Sequence, residues 1–296
     1  MPSRVKSKIS SSVQRIAAKD IESQEARELF LGTLPDYLFS TVGGNTSCVE
    51  VETKERCRFI FDAGTGIREL GNEILASKKS ASCHLFFSHF HWDHIQGLPF
   101  FGPAFDSRNS ISFYSPVTEF KSILEGQMKP PYFPITMDVM SAQKKFRVLN
   151  GDPILVGGVK ISYRPMNHPG GCYSYAIEED GVKAIYSTDT ELREEDFRRT
   201  PENTAYFKGA DLLILDTQYT LGEAIEKYNW GHSSFSLASD FAATWGIKRL
   251  VLFHHEPSYS DLKIESIFKS ASWYIEHLES RGIEVFLARE GLELEV

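Results

Sequence analysis

The stretch Ser88-His89-Phe90-His91-Trp92-Asp93-His94 packs three imidazoles and one carboxylate into six positions. Each of these side chains can give a lone pair to a divalent cation. Burying four such groups on one loop is costly unless something pairs them, so a metal ion is the expected partner. A lone histidine is ordinarily a satisfied core or surface residue, but this spacing is not that of a lone histidine. The chain has only nine histidines. His168, His232, His254 and His255 also lie just past an expected strand or just before an expected helix, where an α/β scaffold collects its site residues. His84 falls at a strand start and is expected to be structural. Asp189 in Ser-Thr-Asp-Thr and Asp216 in Leu-Asp-Thr-Gln are acids at further strand ends.

A second chemistry is suggested by Gly231-His232-Ser233-Ser234, which precedes an apolar helical pattern at 235–245. Ser233 and Ser234 can cap that helix, and its free N–H groups suit a substrate phosphate oxygen. Hydrolysis of a phosphodiester expels an alkoxide, so a proton donor is needed at the leaving group, and His232 is the expected general acid. The ordinary alternative is a surface histidine beside a simple N-cap.

These residues need a scaffold to place them. Strands are expected at 46–52 and 57–61, joined as a hairpin, and at 84–87, immediately before the histidine stretch. A short helical turn follows at 95–99. A helix is expected at 67–76, from Ile67, Leu70, Ile74 and Leu75. Further strands are expected at 111–114, 159–163, 173–177, 182–186, 212–215, 250–253 and 283–287. Further helices are expected at 118–124 and 266–280. An amphipathic helix is expected at 17–30. Residues 1–40 read as an N-terminal extension, and residues 41–296 as one α/β hydrolase domain. The first 19 residues, rich in Ser, Lys and Arg and without acid before Asp20, have some transit-peptide character, but a mobile or helical extension is the preferred reading.

The totals restrict the partners. The chain has 296 residues, enough for a substantial core, and no apolar run approaches the roughly 20 residues of a membrane span. A formal net charge of -8 argues against a nucleic-acid polymer as the main partner. A small phosphorylated substrate needs only a local positive field, which a metal supplies. Four cysteines without a Cys-x-x-Cys pair point to buried thiols in a reducing, cytoplasmic setting and argue against a zinc knuckle.

Taken together, His89-Phe-His91-Trp-Asp93-His94, His168 in Asn-His-Pro-Gly-Gly, Asp189 in Ser-Thr-Asp-Thr and His254 after Leu-Val-Leu-Phe resemble the ordered motifs of the metallo-β-lactamase superfamily. Asp62-Ala-Gly-Thr-Gly resembles the family's turn before its first core helix. The resemblance covers about residues 43–296. It implies a four-layer αββα sandwich and a site for two divalent metal ions, with zinc expected and manganese or iron also suited to the donor set. One ion would take His89, His91 and His168, the other Asp93, His94 and His254. Asp189 and a hydroxide would bridge them, and Asp93 would also orient the hydroxide. His254 is preferred over His255 because it fits the family position and neighbouring strand residues face opposite ways.

Asp189 separates the chain from the zinc β-lactamases, which usually lack this bridging acid. Gly231-His232-Ser233-Ser234 resembles the Gly-His-Ser-Thr segment of ribonuclease Z and related phosphodiesterases. Asp216 stands where an acid, usually Glu, holds that histidine. The basic, glycine-rich arm with which ribonuclease Z grips tRNA is missing between Asp189 and His232. The branch implied is therefore a small-molecule phosphodiesterase, including enzymes that open cyclic nucleotides. Tyr132-Phe133-Pro134 with Phe100 and Phe101 would wall a pocket for a base, with core packing as the alternative. A thioesterase or lactonase on the same metals, a nuclease acting on RNA ends, and a nucleotide-binding module without catalysis are the rival readings. The opening Gly-x-Arg-Gly-Ser-type segment of relatives has no counterpart at 21–40, where the extension is expected to cover the site edge or form a homodimer contact.

Overall fold

Alternation along the strands sorts the apolar side chains into three layers. Phe59 and Phe61 point one way and Ile60 the other, each fully buried. Phe59, Phe61, Phe86 and Tyr114 meet Val159, Ile161, Tyr175, Ile177 and Tyr186 in a core between two sheets. Ile60, Leu85, Ile111 and Phe113 instead pack on Ile67, Ile74, Phe120 and Leu124 from helices outside the first sheet. Ile185, Leu213, Leu215, Leu250 and Leu252 do the same against Ala238, Phe241, Trp245, Ala271 and Ile275 outside the second. Strands buried on both faces read as continuous apolar runs, which is why Arg58-Phe-Ile-Phe and Leu212-Leu-Ile-Leu look alike. Each buried phenylalanine contributes about 1.5–3 kcal/mol over its exposed state.

The computed structural model describes residues 2–39, 41–151, 153–278 and 282–296. The first sheet has five strands in sequential order: β1 (Val49–Glu52), β2 (Arg58–Phe61), β3 (Ser82–Phe86), β4 (Ser110–Ser115) and β5 (Gln143–Val148). β1 and β2 are an antiparallel pair, and β2 through β5 run parallel. The second sheet has seven strands: β6 (Ile154–Val156), β7 (Val159–Met166), β8 (Cys172–Glu179), β9 (Val182–Ser187), β10 (Leu212–Asp216), β11 (Arg249–Phe253) and β12 (Glu284–Leu287). β6 to β9 are antiparallel neighbours, and β9 to β12 are parallel. Helices cover both outer faces, so the αββα sandwich expected from the motifs is the observed fold.

Several elements differ from the sequence reading. The expected helix at 17–30 is a 3-10 turn, Ala18–Ile21, and a separate helix, Gln24–Gly32, because Ser23 accepts from Ala26 N and starts a new N-terminus. Another helix, Pro2–Val13, precedes them. Strands β5 and β6 went unread: Gln-Lys-Lys-Phe-Arg-Val is an edge strand with charged residues on its open face, and β6 is a three-residue edge strand. The last helix runs Asp261–His277, starting at Asp261 because Ser260 accepts from Lys263 N. Its expected end at Ser280 lies outside the described residues. No helix among the described residues is long and apolar enough to cross a membrane.

Candidate metal centre

The strand ends converge on one edge of the sandwich. Asp62 follows β2, the histidine stretch follows β3, His168 follows β7, Asp189 follows β9, Asp216 closes β10 and His254 follows β11. Three of these residues, Asp62, Asp189 and His254, hold φ values of +60°, +47° and +60°. Non-glycine residues in the left-handed region cost of order 1–3 kcal/mol each, and such strain gathers at functional sites. Here it turns three side chains off their strands and into the same space.

Asp189 is the centre of the arrangement. It is 2% exposed, and its two oxygens face different groups. Oδ1 lies 3.7 Å from His89 Nε2 and 3.7 Å from His168 Nε2. His168 Nε2 is in turn 3.2 Å from His91 Nδ1. Oδ2 lies 3.1 Å from His94 Nε2 and 3.3 Å from His254 Nε2. Asp93 Oδ2 closes this second cluster, 3.2 Å from His94 Nε2 and 3.4 Å from His254 Nε2. Ligand atoms in a tetrahedral zinc shell with bonds near 2.0–2.1 Å sit about 3.3–3.4 Å apart. The second cluster has that spacing, and the first is wider, with both Asp189 Oδ1 contacts at 3.7 Å. The fit is sharpened by His89 Nε2 and His94 Nε2, which are buried and have no hydrogen-bond partner. Nitrogen atoms left bare in the interior are costly unless a cation takes them.

The far side of each ring explains which nitrogen faces inward. A carboxylate or carbonyl only accepts, so the nitrogen facing it carries the proton. His94 Nδ1 donates to Asp62 Oδ2 at 2.8 Å and His168 Nδ1 to the Gly231 carbonyl at 3.0 Å. Ser88 Oγ donates to Asp62 Oδ2 at 2.6 Å and accepts from His89 Nδ1 at 3.1 Å. The His89 and His168 rings therefore turn a lone pair on Nε2 toward the clusters, while His94 Nε2 faces the carboxylates of Asp93 and Asp189.

The electrostatics agree. Burial, then the neighbouring His94, pushes the His89 imidazole down to about 2, so it is neutral and able to ligate. Burial opposes charge on His254, yet Asp189 and Asp93 outweigh it and push the imidazole up to about 9. Burial also opposes charge on His94, and Asp189 and Asp62 outweigh it in the same way. Carboxylates crowded in a buried space attract whatever positive charge is offered, and a divalent cation satisfies them better than scattered protons.

His232 stands beside both clusters. Its ring stacks on His254 with centroids 5.1 Å apart, and it meets His168 edge-on at 5.2 Å. His232 Nδ1 donates to Asp216 Oδ2 at 2.6 Å. Asp216 is fully buried, and its Oδ1 accepts from Gln218 N and Ser233 N.

The structure corrects some expectations. Ser233 and Ser234 are each 1% exposed, and their hydroxyls are already engaged. Ser233 Oγ donates to Thr190 O and accepts from Leu192 N, while Ser234 Oγ accepts from Leu237 N as the helix N-cap. They fold the loop that carries His232, and Ser234 is the expected N-cap of the helix that follows. Phe101 is fully buried in the outer core, so it does not wall a pocket, whereas Phe100 and Tyr132 are exposed and Phe133 packs edge-on against Phe100. His255 Nε2 accounts for itself against Ala288 O at 2.9 Å, away from the cluster. His84 is structural, with Nδ1 3.1 Å from the Tyr114 hydroxyl and its ring on Phe59. Of the cysteines, Cys83 and Cys172 are buried while Cys48 and Cys57 are half-buried, and all four are free thiols.

A family profile described as the Beta-lactamase superfamily domain matches residues 57–255. The chain belongs to the beta-lactamase superfamily. Among curated proteins, this superfamily member is 21% identical over 281 residues to Ribonuclease BN of Proteus mirabilis, covering 78% of this chain and 89% of that protein. It is 23% identical to Ribonuclease Z of Synechococcus sp. strain CC9311, covering 78% and 87%. Among solved structures, the metallo-beta-lactamase fold protein YhfI from Bacillus subtilis aligns with TM-score 0.63 and 18% identity, covering 83% of this chain and 90% of that one. A diphosphatase of the PhnP family aligns with TM-score 0.61 and 21% identity, covering 85% and 84%. Human tRNase Z, short form, aligns with TM-score 0.59 and 19% identity, covering 87% and 94%. The superfamily member thus sits on the ribonuclease Z-like side of a hydrolase family, with a His/Asp cluster suited to metal.

Proposed function

We propose that this chain is a two-metal phosphodiesterase acting on a small phosphodiester, with a cyclic nucleotide as the first candidate. His89, His91 and His168 would hold one ion and Asp93, His94 and His254 the other, with Asp189, which faces both sets, available to each. Zinc is the expected ion, with manganese and iron as alternatives the donor set accepts. Two such ions lower the pKa of a water between them and neutralise charge on phosphoryl oxygens.

The observation that carries the reading is the His232–Asp216 pair at 2.6 Å. His232 is not needed to complete either three-residue set, yet it stacks on one ligand and touches another. Its Nδ1–H is committed to a buried carboxylate, which orients the ring. That is the arrangement of a general acid held for an alkoxide leaving group, worth about 10²–10⁴ in rate. Thioesters expel a thiolate and need no such donor. The net charge of -8 favours a small substrate, and the exposed rings of Phe100 and Tyr132 offer apolar surface to a base. The relatives named ribonucleases favour a second reading, cleavage of an RNA end.

The test is a panel on zinc- or manganese-loaded protein: bis-p-nitrophenyl phosphate, cyclic nucleotides, a short RNA with a 3′ extension, and a thioester. Metal-dependent turnover of a phosphodiester, with His232→Ala cutting turnover of the alkoxide-leaving substrates at least 100-fold and leaving metal content unchanged, is the expected result. Turnover of the thioester alone, undiminished in His232→Ala, would overturn the reading.

A further inference from the structure

We propose that Glu191 is a positioning residue that sets the His168 ring and the approach of His232 together, through the backbone of Gly231. The inference rests on reading the centre as a two-metal phosphodiesterase.

Glu191 is 7% exposed and lies two residues beyond Asp189 in the same loop. Its main chain is tied to the loop of His168: Glu191 N donates to Asn167 O at 2.9 Å, and Asn167 Nδ2 donates to Glu191 O at 3.3 Å. Its carboxylate reaches the other way. Oε2 accepts from Gly231 N at 3.0 Å, while Oε1 makes no hydrogen bond and faces Arg193 at 3.5 Å. Gly231 O then accepts from His168 Nδ1 at 3.0 Å, and the next residue is His232.

Gly231 is thus gripped at both polar atoms, by Glu191 at the N–H and by His168 at the carbonyl. The grip needs a residue without a side chain. Gly231 has φ +90°, and a Cβ there would stand 2.3 Å from His168 Nδ1. A shift of this residue moves the carbonyl that orients the His168 ring, and it moves His232 relative to Asp216. A carboxylate that only filled space would not justify burying its charge; a charge-assisted bond to one backbone N–H gives it a definite role. Partners of ligand histidines one shell out typically change metal affinity 10–100-fold when lost.

The experiment compares the full-length chain with Glu191→Asp, which keeps the charge but falls one methylene short of Gly231, and Glu191→Gln, which keeps an acceptor at full reach. Zinc is titrated into each apoprotein against a chromogenic chelator. Turnover is measured on two phosphodiesters, one with a p-nitrophenolate and one with an alkoxide leaving group. We expect Glu191→Asp to weaken at least one zinc-binding step tenfold or more and to lose tenfold more activity on the alkoxide than on the p-nitrophenolate ester. Glu191→Gln should recover most of both. A residue that merely packs would not change the ratio between leaving groups. Unchanged zinc binding and an unchanged ratio in Glu191→Asp overturn the proposal. Should Glu191→Asp not fold, amide exchange in the unmutated chain decides: protection of the Gly231 N–H supports the bond to Glu191, and free exchange refutes it. If the unmutated chain cleaves no phosphodiester, the functional reading fails, and the zinc titration still judges Glu191.

Discussion

Asp62 Oδ2 accepts a hydrogen bond from His94 Nδ1 at 2.8 Å, with both side chains out of reach of solvent. The same oxygen accepts from Ser88 Oγ at 2.6 Å and from the Tyr186 hydroxyl at 2.8 Å, and Oδ1 accepts from Ser88 N at 2.7 Å. One carboxylate therefore fixes His94 directly and His89 through Ser88. Replacing Asp62 by Ala leaves several buried donors unmatched, each costing about 1–3 kcal/mol. Zinc affinity should fall about 10–100-fold, as for other outer partners of ligand histidines. Zinc titration with a thermal melt checks both effects. An Asp62→Ala protein with full zinc content and an unshifted melt would show that the network is dispensable.

Asp216→Asn tests the general acid without removing it. Asn keeps the volume and retains an acceptor for the Ser233 and Gln218 amides, which now bond Oδ1 at 3.1 Å each. If that acceptor stays in place, an NH₂ group faces His232 Nδ1, and the acceptor that orients the ring is lost. Turnover of a phosphodiester should drop about 100-fold or more while zinc stoichiometry holds. Equal loss of zinc and turnover would instead make Asp216 a support of His254, whose Nδ1 is 3.7 Å away.

The His/Asp cluster was legible because histidine is rare in the chain and these residues stand at strand ends that the apolar runs announce. What completes it was not. Tyr186 meets Asp62 across 124 positions, a distance no local pattern spans. Asp62 itself stood in a visible turn motif, but its left-handed φ, which turns the carboxylate toward His94, has no signature in residue type. Ser233 and Ser234 both stood out as caps, and only the fold shows which one caps the helix and that the other spends its hydroxyl on Thr190. Phe100 and Phe101 are neighbours of the same type, and the 3-10 turn that contains the first sends one outward and the other into the core. Edge strand β5 escaped because its charged side chains interrupt the apolar run, and β6, Ile154–Val156, because three residues are too few to show a period.

Thiol chemistry offers an independent check of burial. Burial pushes the Cys83 thiol up to about 12, and the Cys172 thiol is also raised well above its ordinary value, first by burial and then by Asp189. Neither should react with a maleimide at pH 8 in the folded protein, because the thiolate is the nucleophile. Cys57 is half-buried and should label first. Peptide mapping after brief and denatured labelling separates the cases; early labelling of Cys83 would contradict the packing of β3.

Glu223 joins the segment before His232 to the last helix. It accepts from Thr220 N at 3.0 Å and Lys263 Nζ at 2.6 Å, and it also takes the Tyr259 hydroxyl. Burial alone would raise its carboxyl, but the bonds from Lys263, Thr220 and Tyr259 hold it down to about 2 from an ordinary 4.5. A depressed carboxyl stabilises the fold above its unfolded value and loses that contribution as pH falls through the folded one. The melting temperature should therefore decline between pH 4.5 and 2, and Glu223→Gln should flatten that part of the curve. At pH 7 the variant should melt lower than the parent, with the gap closing toward pH 2. A constant gap would mean that Glu223 acts by shape and not by charge.

Gly97 tests how tightly the histidine turn is seated. Gly97 N donates to Ala63 O at 2.9 Å, and Ala63 N donates to His94 O at 2.7 Å, so the turn after Asp62 and the turn after His94 lie backbone to backbone. A Cβ on Gly97 would fall 1.9 Å from the Gly64 carbonyl oxygen, and one on Gly64 would fall 2.4 Å from Asp93 O. Both obstacles are main chain and cannot swing aside as a side chain would. Gly97→Ala must push apart the two segments that carry Asp62, Asp93 and His94. Overpacking of this kind costs about 1–3 kcal/mol and more where the backbone cannot yield. The expected outcome is a lower melting temperature together with loss of metal from the Asp93, His94 and His254 cluster first. Spectra of the cobalt-substituted protein would report that order, and a variant that binds two equivalents of cobalt like the parent would show that the turns have room the structure denies them.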